Sequence, residues 1–146
     1  MHRKSPHAFS SSLLFWRWLS LSLVLVIIDQ MSKLKVAFML PLHDRIEVTP
    51  FFDLVHTLNL GAAFSILANA GGWQRHFFTL LGLLVSFFLI FLLWRGVRSR
   101  LETLAYVFIV AGALGNVVDR LRIGAVIDFL DFHWQDWHWP AFNSAD

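Results

Sequence analysis

Phe77-Phe-Thr-Leu-Leu-Gly-Leu-Leu-Val-Ser-Phe-Phe-Leu-Ile-Phe-Leu-Leu-Trp94 is an uncharged run of 18 residues, with Trp73 and Trp94 near its ends. A helix of about 20 apolar residues spans the hydrocarbon of a bilayer, and tryptophans favour its two interfaces. The run therefore reads as a membrane span. Upstream, Leu19-Ser-Leu-Ser-Leu-Val-Leu-Val-Ile-Ile28 extends back to Leu13 and forward to Leu40, interrupted by Arg17 and by Asp29 to Lys35. Downstream, Thr103 to Val118 is shorter and rich in small residues, Ala111-Gly112-Ala113-Leu114-Gly115, which suits close helix contact inside a bundle. Spans are predicted near 13–38, 75–95 and 101–118. Composition agrees: of 146 residues 57% are hydrophobic and 15% charged, whereas a soluble domain carries roughly 25% charged residues.

His2-Arg3-Lys4 opens a polar N-terminal tail, residues 1–12, and raises the alternative of a cleaved signal peptide. No Ala-x-Ala-like site follows Ile28, and polar Asp29-Gln30 comes instead, so an uncleaved anchor is preferred. Residues 13–146 then form a single membrane-embedded domain. Arg3, Lys4 and Arg17 precede the first span, and Arg95, Arg98 and Arg100 lie between the second and third, which points both clusters to the cytoplasm. Asp29, Asn59, Asp119, Asp128 and Asp146 then gather at the opposite, outer side. There, Arg45 to Asn59 holds β-branched and aromatic residues with a break at Pro50, so short strands or a hairpin are expected. The Trp-rich stretch through Trp134, Trp137 and Trp139 resembles an interfacial segment at the headgroups. The net charge is +2 and the 12 Lys and Arg fall in short clusters, which argues against a nucleic-acid partner. With no cysteine there is no disulfide, thiolate metal site or Cys nucleophile.

Ionisable residues at membrane depth are costly and point to function. Asp29 and Lys33 share a helix face, acid before base, either as a support for a site or as a salt bridge that ends the helix at the interface. Asn116 and Asp119 share a face at the end of the third span, and Asp119 needs compensation there, from Arg120 or from a neighbouring site. Asp128 and Asp131 are each flanked by apolar residues, so at least one should be desolvated with a raised pKa, as a general acid or a shared-proton pair requires. A metal site finds little support, since no His-Glu-x-x-His occurs and His133 and His138 sit in the Trp-rich stretch. A Ser nucleophile is equally weak, because Ser65 has no base beside it.

Five blocks, by their order and spacing, resemble the bacterial lipoprotein signal peptidases, also called signal peptidase II. They are Asp29-Gln-x-Ser-Lys33, Asn59-Leu-Gly61-Ala-Ala-Phe64-Ser, Gly115-Asn116-Val-Val-Asp119-Arg120, Gly124-Ala-Val126-Ile-Asp128-Phe129 and Phe142-Asn143-Ser-Ala145-Asp146. The resemblance implies a mainly α, polytopic fold with a small outer β-rich segment, in the bacterial cytoplasmic membrane, with its active site toward the outer face. The implied activity is that of an intramembrane aspartic endopeptidase, working without metal or cofactor, that cuts diacylglyceryl-modified prolipoproteins before the lipidated cysteine. Its implied catalytic residues are Asp128 and Asp146. Asn59, Gly61, Asn116, Asp119, Arg120 and Asn143 are implied around them, with Asp29 and Lys33 in support. The implied partners are the lipidated substrate and membrane lipid, and a monomer is the default. Family members continue past the last motif into a fourth membrane helix, whereas this sequence stops at Asp146. The competing class is a non-enzymatic assembly factor or ion-pathway subunit, but a pore would spread polar residues through the membrane depth, and here they crowd at one side.

Overall fold

A computed structural model describes residues 12–61, 71–97 and 99–146. Among the described residues three helices, α1 (Ser12–Met39), α2 (Trp73–Arg95) and α3 (Arg100–Ile123), are long and apolar enough to cross a membrane, as the sequence predicts. The chain is a mainly helical, multi-pass membrane protein with a small antiparallel sheet. Large apolar side chains on the outside of the bundle, such as Phe87, Phe88, Leu80 and Leu84, are left exposed, which is stable when the surrounding solvent is lipid.

α3 is the central helix, burying nine residues against four each for α1 and α2. Small residues at the contacts explain this. A Cβ at Gly82 on α2 would fall 2.7 Å from Val117, and Ser22 on α1 donates to the Val107 carbonyl at 3.2 Å, so both neighbours lie close to α3. Ser22 meets Val107 and Lys33 meets Asp119, so α1 and α3 run parallel. Arg17, Arg95 and Arg100 therefore collect at one end of the bundle and the sheet at the other, while Arg3, Lys4 and Arg98 lie outside the described residues.

α3 runs beyond the predicted boundary at 118, to Ile123. It ends at Gly124, whose φ of 81° is the left-handed conformation glycine adopts freely and whose N–H bonds to the Arg120 carbonyl. Asn116 and Asp119 thus lie within the helix, where their face is fixed against α1.

β1 (Arg45–Thr49) and β2 (Phe52–Asn59) form the expected hairpin. β3 (Val126–Trp134) extends it, pairing with β2 from Asn59↔Val126 to Phe52↔Phe132, and β4 (Trp137–His138) turns back on β3. The Trp-rich stretch is thus partly a β3–β4 hairpin. The strand over 126–134 escaped the sequence reading because its partner is about 70 residues away, beyond any local turn signal. A bulge in β2 between Leu54 and Thr57 shifts the register so that Thr57 stands opposite Asp128 and donates to its carbonyl at 3.2 Å.

Candidate active site

Where the C-terminal halves of α1 and α3 meet β3, polar side chains gather in a layer around buried Asp29, Lys33 and Asp119. Lys33 is fully buried and its ammonium has three acceptors: Asp29 at 2.8 Å, Asp119 at 2.9 Å and Asn116 Oδ1 at 2.9 Å. All three of its N–H bonds are thereby used. Two carboxylates to one ammonium leaves an excess of negative charge, and further donors soften it. Gln30 donates to Asp119 at 2.9 Å and to Asp29 at 3.2 Å, and the Ser144 hydroxyl donates to Asp29 at 2.7 Å.

Asp128 sits on β3 next to this layer and is 2% exposed. Asn59 donates to one of its oxygens at 3.0 Å and Asn143 to the other at 2.6 Å. Asp146 stands at the end of the C-terminal turn. Its carboxylate accepts from Asn116 Nδ2 at 2.9 Å and from the Asn143 backbone N–H at 3.1 Å. Asn143 therefore touches both carboxylates, and it also donates to Asn116 Oδ1 at 3.3 Å. Burial pushes the Asp128 carboxyl up from the usual range to about 6; the charge of Asp146 acts the same way, while the Asn143 and Asn59 donors and Lys33 oppose it.

Residues 21–146 match the sequence model of the family described as signal peptidase (SPase) II. The chain belongs to the signal peptidase II family. As a signal peptidase II it is an aspartic peptidase, and the enzyme reading stands over the non-enzymatic alternative. It is 53% identical over 132 residues to a lipoprotein signal peptidase of Aeromonas hydrophila, covering 89% of this chain and 79% of that one. It is 44% identical over 146 residues to a lipoprotein signal peptidase of Paraburkholderia phytofirmans, covering 100% and 85%. Its fold is similar to a bacterial membrane enzyme structure obtained by the in meso method at 2.3 Å resolution, with a TM-score of 0.76 and 28% identity over 99% of this chain and 84% of that one.

The residues that the resemblance implies for this signal peptidase II fall together at the C-terminal halves of α1 and α3. Asp29, Lys33, Asn59, Gly61, Asn116, Asp119, Arg120, Asp128, Asn143 and Asp146 are linked by hydrogen bonds or ion pairs. Two readings left open by the sequence are resolved. The partner that compensates Asp119 is Lys33 from α1; Arg120 instead donates to the Gly61 carbonyl at 2.9 Å and lies over the Phe78 ring, 5.4 Å from its centroid. Adjacent helical residues point about 100° apart, so covalent neighbours do not pair. Asp128 and Asp131 do not form a pair, because an offset of three along a strand puts them on opposite faces. Asp128 is the desolvated one, and Asp131 meets His138 Nδ1 at 2.9 Å. His133 Nε2 lies 3.3 Å from Asp53 Oδ1, and Asp53 stands opposite Asp131 on β2. Ser65 lies outside the described residues. Sequence reasoning assigned no role to Gln30 or Ser144, although both stand inside quoted blocks, because their partners are 89 and 115 positions away.

Proposed function

We propose that this signal peptidase II is an intramembrane aspartic endopeptidase of the bacterial inner membrane that removes the signal peptide of diacylglyceryl-modified prolipoproteins, cutting before the lipidated cysteine. The observation that supports this most directly is Asn143, which donates to Asp128 through its side chain and to Asp146 through its backbone, holding two carboxylates about one position. Residues 13–146 act as one catalytic domain behind the polar tail, as a monomer, with the site toward the outer face.

Asp128, the more buried of the two, carries the proton, and Asp146, exposed and held by two N–H donors, is the base. Asp146 takes a proton from a water lying between them while the water oxygen attacks the scissile carbonyl carbon. Asp128 gives its proton to the carbonyl oxygen, forming the tetrahedral intermediate. Collapse breaks the C–N bond: the proton on Asp146 passes to the leaving amine, and that on the intermediate's hydroxyl returns to Asp128. Asn59, Asn116 and Asn143 orient the carboxylates, and Arg120 with the Gly61 carbonyl offers polar contacts beside them. The apolar signal helix and the acyl chains remain in lipid beside the bundle.

Incubating the purified chain with a lipidated prolipoprotein, and with its unlipidated precursor as control, tests this. Cleavage of the lipidated form alone is expected. Equal cleavage of both, or of neither, overturns the proposal.

A further inference from the structure

The turn that carries Asp146 is closed on itself by short bonds: the Ala145 N–H donates to Asn143 Oδ1 at 2.7 Å and the Asn143 N–H to Asp146 at 3.1 Å. Such a turn has a defined shape but no defined place. Two contacts fix its place against the helices. On α3, a Cβ at Gly112 would collide with the Ala145 carbonyl, so the missing side chain lets the turn's backbone lie directly on the helix. On the α1 side, the Ser144 hydroxyl donates to Asp29 Oδ1 at 2.7 Å and lies 3.3 Å from the Ser32 hydroxyl. Asn143 and Asp146 contact Asp128 and Asn116, while Ser144 between them contacts α1.

We infer that Ser144 is a positioning residue, whose bond to Asp29 clamps the C-terminal turn to α1 and thereby sets where Asp146 stands relative to Asp128. The inference rests on the reading of Asp128 and Asp146 as the catalytic pair. Asp29 is a firm anchor, 3% exposed and ion-paired to Lys33, and a hydroxyl bonded to a carboxylate is among the stronger side-chain hydrogen bonds. Ser144 touches neither member of the proposed pair through its side chain, so its effect is on geometry. Removing it leaves Asp29 with Lys33 and Gln30, and the fold is spared. A shift of about 1 Å in a reacting group costs on the order of 100-fold in rate, so a loosened turn has a measurable effect even when it still visits the right position.

Ser144→Ala should lower kcat on the lipidated precursor about tenfold with KM within about twofold and an unchanged folded yield, and Ser144→Thr should restore most of the loss. An unchanged kcat per folded molecule in Ser144→Ala, or equal loss in Ser144→Thr, overturns the inference. Because the chain has no cysteine, Ser32→Cys with Ser144→Cys gives a second reading that does not depend on the hydroxyl. The two oxygens are 3.3 Å apart, so the side chains at these positions meet and cysteines there are placed to form an S–S bond of about 2 Å. Oxidation should form the disulfide in high yield, and the oxidised protein should cleave at least as fast as its reduced form. Failure to cross-link shows that the turn is not held at α1; cross-linking that abolishes cleavage shows that the turn must leave α1 during turnover, and either result overturns the clamp. No cleavage by the unsubstituted chain overturns the proposed activity and the catalytic consequence together, and disulfide yield then decides the contact alone.

Discussion

Two pairs of carboxylates share one polar layer and are compensated in different ways. Asp29 and Asp119 bracket the buried ammonium of Lys33, at 2.8 and 2.9 Å. The hydrogen bonds to Asp128 and Asp146 come from neutral amides: the Asn59, Asn116 and Asn143 side chains and the Asn143 backbone. An ammonium between two carboxylates ties the three groups into one buried ion cluster, and removing any member would leave a buried charge without its partner. Amides stabilise a carboxylate less and keep their own protons, so the carboxyl can gain or lose one while its neighbours stay in place. One residue type thus meets a cation in one half of the layer and neutral amides in the other, and under the proposed function the first is framework and the second exchanges the proton.

The sharpest way to break this contrast is to neutralise the proposed working pair. Asp128→Asn and Asp146→Asn should each lower kcat by about 1,000-fold or more while folded yield and precursor binding are retained, since Asn keeps the shape and cannot exchange a proton. The double variant should be no worse than either single one, as groups that act as a unit are not additive. Cleavage by Asp146→Asn at more than a few per cent of the original rate removes Asp146 from the mechanism.

Lys33→Met attacks the framework pair and should do the opposite. Leaving buried carboxylates without their ammonium costs roughly 3–5 kcal/mol, read as loss of folded protein in detergent and a lowered midpoint of thermal unfolding. Asp29→Ala acts in the same direction and should reduce yield more than turnover per folded molecule. A normal yield with abolished turnover in Asp29→Ala would move Asp29 into the catalytic set.

A smaller effect sharpens the contrast through pH. If Asp128 must hold a proton, cleavage per folded molecule falls as pH rises through about 6, where this carboxyl ionises. The Asn59 bond favours the ionised form, so Asn59→Ala should move this limb to higher pH; a shift to lower pH contradicts the assignment. The linkage to stability has the same sign: a carboxyl whose folded pKa is raised contributes most in acid, and that contribution is lost as pH rises through about 6. The smallest effect belongs to Asp131→Asn. On the opposite face of β3 and paired with His138, Asp131 should change cleavage by less than about twofold, and a larger loss would mean that the sheet's outer side contributes to catalysis.

Sequence by itself determined the three spans, a short-stranded segment over 45–59 and the gathering of Asp29, Asn59, Asp119, Asp128 and Asp146 at one end of the bundle, while the rest of the polar set was implied by the family resemblance. The former follow from local signals: an uninterrupted apolar run, partial alternation with a break at Pro50, and the placing of basic clusters at the other end. Which charge meets which was decided only in three dimensions. Lys33 reaches Asp119 across 86 positions, Asn143 brings Asp128 and Asp146 to one place, and β3 finds its partner in β2 after two intervening helices. The physical reason is that an apolar face looks much the same against any apolar neighbour and can be read locally, whereas a buried charge is stable only against a specific partner. That partner is supplied by the packing of α1 on α3, which Gly115, where a Cβ would crowd the Asp29 carboxylate, allows to be close enough.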